Sequence, residues 1–253
     1  MKISMFRTPR CFLAGLLFAT GLLGFSAASQ AATIVGDFNG DGKNDTATFI
    51  AASGLVTIAH GGGVAASSYI TFSNWLTFHS VNTNGIVGQE LVATFANGYV
   101  FVIDDRVRTT RDYNVFGTDF EGSRLLFFTE LNGAAGTEIL FIYPGGYVAI
   151  IDDRLRAVRD YNVFGVGFGG PTRYLKIAEF NGVAGNEIMF SYMSGYSAVV
   201  DDRLRTVRGY NYLSNGSAPT YTNVDGVAGL EAIFHYGAST IWLVDRTRSV
   251  SYH

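Results

Sequence analysis

Five copies of a short loop motif, four β-type segments in each interval and no helical periodicity after the first thirty or so residues predict an all-β protein. The architecture that fits is a five-bladed β-propeller of four-stranded antiparallel blades. The motif is Asn or Asp followed by Gly, with a carboxylate six residues after the anchor. It reads NGDGKND from Asn39, NGIVGQE from Asn84, NGAAGTE from Asn132, NGVAGNE from Asn181 and DGVAGLE from Asp225, at intervals of 45, 48, 49 and 44 residues.

The fourth unit shows how each interval divides. YLKIAEF precedes the anchor loop and EIMFSY follows it, then come YSAVVDD and RLRTVRGYN. Each piece is short, rich in β-branched and aromatic residues, and bounded by Gly, Asn or Asp, the pattern of strands joined by hairpins. The chain enters at TIVGDFNG from Thr33, which aligns with KIAEFNG from Lys176, and its last unit stops at DRTRSVSYH. That phase suits a closed ring, either with every blade continuous or with the N-terminal strand completing the last blade.

Residues 1–31 have the layout of a secretory signal: Lys2, Arg7 and Arg10, an apolar run from Cys11 to Phe25, then SAASQAAT, with cleavage expected near Ala31 or Ala32. Gly15, Gly21 and Gly24 interrupt the run and no stop-transfer charge cluster follows, so a secreted or periplasmic protein is expected, with residues 32–253 as the propeller and no membrane span after cleavage. Cys11, the single cysteine, leaves with the signal, so the fold is expected to stand on its core without disulfides. The remaining chain carries 15 Lys and Arg against 21 Asp and Glu, which argues against nucleic acid or anionic lipid as the main partner. Lys43 and Lys176 are its only lysines; arginine, suited to fixed bidentate pairing, supplies the other positive charges.

The first loop, DFNGDGKND, places oxygen side chains at Asp37, Asn39, Asp41 and Asp45, with Gly42 at a tight turn and the Lys43 carbonyl between them. Ca²⁺ takes six to eight oxygens at about 2.3–2.6 Å, and this spacing supplies several of them. The alternative is a turn held by its own side-chain to backbone bonds. The loop and the apolar strand after it resemble the FG-GAP, or VCBS, repeat of integrin α-subunit propellers and secreted bacterial proteins. The resemblance implies a Ca²⁺ at Asp37, Asn39, Asp41 and Asp45. The other four loops replace the central oxygen with Ile86, Ala134, Val183 or Val227, so Glu90, Glu138, Glu187 and Glu231 are expected to accept loop N–H groups instead.

A charged phrase recurs as IDDRVRTTRDYN, IDDRLRAVRDYN and VDDRLRTVRGYN, is shortened in unit five to VDRTRSVSYH, and is missing from unit one. In one reading the aspartates cap a hairpin and pair with arginines of the same or the next blade. In the other, Asp104, Asp105, Arg106 and Tyr113, with their counterparts Asp152, Asp153, Arg154 and Tyr161, and Asp201, Asp202, Arg203 and Tyr210, form equivalent ligand pockets that hydrogen-bond sugar hydroxyls and offer an aromatic face. Both readings take the residues after the paired aspartates as a strand, with Arg154 and Arg156 on one face and Leu155 on the other. His60, His79, His235 and His253 sit in no nucleophile or metal-ligand spacing. The expected function is therefore an exported, non-enzymatic binding module for a glycan or a surface protein. The enzyme alternative is a small glycoside hydrolase using a carboxylate pair in the channel.

Overall fold

The computed structural model describes residues 31–115, 125–143, 146–163, 173–192, 194–213 and 217–253; the expected signal segment lies outside them apart from Ala31. Five antiparallel sheets of four strands each are formed, every one from strands consecutive in sequence. The first blade holds β1 (Ala31–Gly36), β2 (Asp45–Ile50), β3 (Leu55–Ala59) and β4 (Ser67–Ile70); the second holds β5 (Trp75–Val81), β6 (Glu90–Phe95), β7 (Tyr99–Asp104) and β8 (Thr109–Asn114). The third holds β9 (Leu125–Thr129), β10 (Glu138–Ile142), β11 (Tyr147–Asp152) and β12 (Ala157–Asn162), and the fourth β13 (Arg173–Ala178), β14 (Glu187–Tyr192), β15 (Tyr196–Asp201) and β16 (Thr206–Asn211). The fifth holds β17 (Thr220–Thr222), β18 (Glu231–Tyr236), β19 (Ser239–Val244) and β20 (Ser249–Tyr252). Apart from one 3-10 turn at Gly61–Gly63 the described residues form no helix, so none is long and apolar enough to cross a membrane.

The blade boundary thus falls just before the anchor-loop strand. Of the two closure schemes compatible with the sequence, the one in which an N-terminal strand completes the last blade is not adopted: β1 pairs with β2 of its own sheet.

Burial explains the difference between central and terminal sheets. Strands β6, β10 and β14 are buried at every position because their sheets are covered on both faces, and their sequences are accordingly apolar with little alternation. Strand β2 alternates instead, with Ala47 and Phe49 buried and Thr46 and Thr48 on the uncovered face. Four shared cores fill the junctions between consecutive blades. Phe49, Ile58, Phe95 and Ile103 meet between the first and second, and Val102, Phe141 and Ile151 between the second and third. Ile150, Phe190 and Val200 meet between the third and fourth, and Met189, Val199, Phe234 and Leu243 between the fourth and fifth.

The anchor loops repeat one contact at all four junctions. Gln89 N–H donates to the Asp37 carbonyl at 2.7 Å, Thr137 to Asn82 at 3.0 Å, Asn186 to Glu130 at 3.1 Å and Leu230 to Glu179 at 2.9 Å. This close stacking explains the motif glycine. At Gly133, φ is +77°, and a Cβ there would stand 2.5 Å from the Ala184 carbonyl oxygen of the next blade. The equivalent Gly226 of the fifth blade has nothing within 4 Å of such a Cβ. Among the described residues no hydrogen bond, ion pair or shared core joins the fifth blade to the first. The contacts described at the junctions are thus those of the four pairs of consecutive blades.

Gly133→Ala is expected to destabilise the fold by about 3 kcal/mol or more, since a backbone collision adds to the left-handed φ, whereas Gly226→Ala carries only the ~1–2 kcal/mol of the φ itself. Urea unfolding of the two variants measures the difference. Equal losses would mean that the fifth loop is covered by the first blade.

Candidate functional site

The anchor carboxylates hold their loops as expected. A Glu90 oxygen accepts the Thr83 N–H at 2.7 Å, Glu138 that of Leu131 at 2.7 Å, Glu187 that of Phe180 at 2.6 Å and Glu231 that of Val224 at 2.9 Å. The anchor amides Asn84, Asn132 and Asn181 donate to the other oxygen of the glutamate and to Asp104, Asp152 and Asp201, at 3.1, 2.9 and 3.0 Å for the aspartates. Loop and charged phrase are therefore one network.

In the first loop the candidate cation ligands serve the backbone. Asp37 accepts N–H groups from Gly40, Asp41 and Gly42, Asn39 accepts that of Asp41, and Asp41 accepts that of Lys43. Asp45 accepts from Phe38 at 3.0 Å and Gly61 at 2.9 Å and lies 3.3 Å from His60 Nδ1. Burial works against the Asp45 charge, but those two N–H groups and His60 together hold its carboxyl below the usual range. Among the described residues no group of three or more His, Cys, Asp and Glu side chains is gathered around a cation position. The loop keeps its shape through its own N–H bonds.

The charged phrase is a turn, not the start of a strand. Residues 153–156 form a four-residue turn and β12 begins only at Ala157; residues 105–108, 202–205 and 245–248 do the same. Arg154 and Arg156 therefore do not share a strand face, which corrects the alternation inferred from the sequence. Asp152 and Asp201 cap their turns by accepting the Leu155 and Leu204 N–H groups at 2.9 and 2.8 Å. The last turn residue, Arg108, Arg156, Arg205 or Arg248, has φ of 54 or 55°, a left-handed conformation that costs a residue with a Cβ ~1–2 kcal/mol. In the first blade Gly63, φ 81°, stands in the corresponding turn.

The second aspartate of each phrase is the acceptor of an interblade clamp. Arg111 Nε and Nη2 donate to Asp153 of the next blade at 2.6 and 2.7 Å, and Tyr113 O–H donates to the same carboxylate at 2.5 Å. Arg159 and Tyr161 bind Asp202 at 2.7, 2.6 and 2.6 Å, and Arg208 and Tyr210 bind Asp245 in the same way. Each arginine also faces the first aspartate of its own phrase, at 3.7, 3.3 and 3.1 Å for Asp104, Asp152 and Asp201. At the first junction Ser67 and Tyr69 donate to Asp105, with His60 Nε2 3.2 Å away. Burial disfavours the charge on Arg111, Arg159 and Arg208, yet the paired aspartates leave each guanidinium with a raised pKa; burial and the same aspartates raise the tyrosines.

Of the residues predicted to form ligand pockets, Asp104, Asp105, Asp152, Asp153, Asp201 and Asp202 are buried in this network. Tyr113, Tyr161 and Tyr210 are buried as well, and they present no aromatic face. Arg106, Arg154 and Arg203 are exposed. The structure adds Arg111, Arg159 and Arg208, which the sequence reading did not single out. Their signal is the third arginine of each phrase, which the last unit replaces with Ser251.

The same cavity opens at three successive junctions. Between the second and third blades it measures about 250 Å³ and is lined by Asp104, Arg106, Arg111, Asp153, Arg154 and Arg156. Between the third and fourth it measures about 160 Å³, with Asp152, Arg154, Arg159, Asp202, Arg203 and Arg205; between the fourth and fifth it measures about 150 Å³, with Arg208, Asp245, Arg246 and Arg248. The side chains of Arg106, Arg154, Arg156, Arg205 and Arg248 make no hydrogen bond or ion pair among the described residues.

No protein-family model and no curated protein matches the sequence. Among solved structures the chain is similar to an Agrocybe aegerita lectin described as recognising non-reducing terminal N-acetylglucosamine, with 13% identity and a TM-score of 0.50 over 89% of this chain and 66% of that one, just under two thirds of its length. It also matches a Staphylococcus aureus virginiamycin B lyase at 12% identity and TM-score 0.39, covering 88% and 74% of the two chains. The WD40 domain of Toxoplasma gondii coronin follows at 15% and 0.37, covering 81% and 54%. The first of these likenesses shows the propeller fold, and at such identity the fold alone.

Burial raises the carboxyls of Glu138 and Glu187 to about 7 and about 8, against the pull of the Leu131 and Phe180 N–H groups and with help from Asp152 and Asp201. Their folded-state values exceed the unfolded 4.5, so the folded state holds protons that the unfolded chain releases. The associated stability is complete below about pH 4.5 and is lost as pH rises through 7 to 8. Melting temperature is expected to fall by several degrees between pH 5.5 and 8.5, and Glu138→Gln with Glu187→Gln is expected to flatten that slope. A melt that rises across this window contradicts the assignment.

Proposed function

We propose that the protein is an exported, non-enzymatic binding module that engages a glycan or a surface protein through its junction cavities. The observation that carries this reading is the recurrence of one cavity at three successive junctions, each lined by at least one arginine whose side chain has no hydrogen bond or ion pair among the described residues. Rigid repetition suits multivalent capture, because several weak contacts on one scaffold raise avidity.

The hydrolase alternative lacks its chemistry among the described residues. Retaining enzymes need two carboxyls about 5–5.5 Å apart, one protonated, both open to substrate. Here the phrase aspartates already accept from arginine, tyrosine, asparagine and backbone donors. The protonated candidates, Glu138 and Glu187, are 4% and 2% exposed beneath their loops.

The test is a glycan array and a surface-protein capture with residues 32–253, beside a screen of chromogenic glycosides. Retention at micromolar Kd, weakened by Arg154→Ala without a change in melting, supports the module. Turnover abolished by one carboxylate substitution would replace it with the hydrolase.

For the first loop, Ca²⁺ at Asp37, Asn39, Asp41, the Lys43 carbonyl and Asp45 is a proposal supported by the oxygen spacing and by the exposure of Asp41. The ion would take over acceptors that now serve N–H groups, so it would reinforce a loop that already holds itself. Added Ca²⁺ is expected to raise the melting temperature, and Asp41→Ala to remove the rise. A calcium-indifferent melt removes the proposal.

A further inference from the structure

The binding reading leaves the chemistry of the ligand open, and the turn backbone narrows it. Four turns place an arginine in the left-handed region where glycine serves in the first blade. The side chains of Arg156, Arg205 and Arg248 make no hydrogen bond or ion pair among the described residues; the N–H groups of Arg156 and Arg248 only close their turns, onto the Asp153 and Asp245 carbonyls. A side chain carried on a strained backbone position, with no partner of its own inside the described residues, directs attention outward, to a ligand.

The surroundings define what that ligand carries. In the cavity between the third and fourth blades, Arg159 binds both Asp152 and Asp202, and Arg154, Arg203 and Arg205 outweigh the one carboxylate charge it leaves, so the lining is net positive. Arg203 gives one N–H to the Ala184 carbonyl at 2.9 Å and keeps its others free. The second and third blades repeat this with Arg106, Arg154 and Arg156, the fourth and fifth with Arg246 and Arg248, of which Arg246 pairs with Asp225. Guanidinium groups with spare donors match the oxygens of a carboxylate or sulfate bidentately. Volumes of about 150–250 Å³ admit such a group with a few waters at ~30 Å³ each. Between the two arginines of three turns lies an exposed apolar side chain, Val107, Leu155 or Leu204, a surface for the C–H face of a sugar ring.

Resting on the binding-module reading, we infer that the junction cavities are oxyanion sites and that their ligand is an acidic polysaccharide whose carboxylate or sulfate groups occupy successive junctions. The acidic surplus of the rest of the chain disfavours indiscriminate attachment to polyanions, so recognition is confined to chains that pair an anionic group with a sugar face.

The test immobilises polygalacturonate, dextran sulfate, neutral dextran and poly-glutamate and measures binding of residues 32–253 at 50 and 500 mM NaCl. Binding to at least one acidic polysaccharide is expected, at least tenfold weaker at high salt, with dextran and poly-glutamate left unbound. The combined variant Arg156→Gly, Arg205→Gly and Arg248→Gly is expected to lose at least tenfold in affinity while melting at the same or a higher temperature, because glycine relieves the turn. A purely structural role would lower the melt. Binding to dextran without the acidic chains, binding to poly-glutamate as tight as to either acidic polysaccharide, or full affinity in the glycine variant overturns the oxyanion inference and leaves the binding module standing. Failure on all four surfaces together with a blank glycan array and no captured surface protein overturns both.

Discussion

The structure depends on a buried aspartate that receives a bidentate guanidinium and a tyrosine hydroxyl from the preceding blade. A carboxylate taken out of water is expensive unless its lone pairs are met by well-placed donors. Asp202 meets that condition through Arg159 and Tyr161. Because Arg159 also faces Asp152 of its own blade, and Asp152 is tied through Asn132 to the anchor loop, one guanidinium fixes hairpin, loop and neighbour together. Apolar packing alone tolerates sliding of one sheet over another; a planar fork on a buried carboxylate does not.

The same device is altered in the first and fifth blades. The first blade donates through Ser67 and Tyr69, but where a following blade carries the acceptor aspartate it has His60, which lies between Asp45 and Asp105. The fifth blade accepts on Asp245 but places Ser251 and His253 where arginine and tyrosine would donate onward. Lys43 stands where the later loops have the glycines that approach a preceding loop.

Period, strand count and the loop-holding glutamates were legible because each is local: a glycine turn, a short apolar segment and a carboxylate six residues from its partner. The role of the phrase was half legible. Charge pairing was readable, but a sequence does not say which blade supplies a partner, and Arg111, Arg159 and Arg208 therefore passed as ordinary strand residues. Arg154, Leu155 and Arg156 imitate the period-two pattern of a strand while forming a turn, and a left-handed arginine gives no compositional sign. The first blade held the clue, since glycines replace the phrase there.

A double-mutant cycle on Arg159→Ala and Asp202→Ala, followed by urea unfolding, tests the clamp directly. Each single change is expected to cost about 3–5 kcal/mol, with a coupling energy of about 2 kcal/mol or more, because either one strands a buried partner. Losses that add to within ~0.5 kcal/mol would show that the two side chains act independently, and the blades would then be held by apolar packing alone.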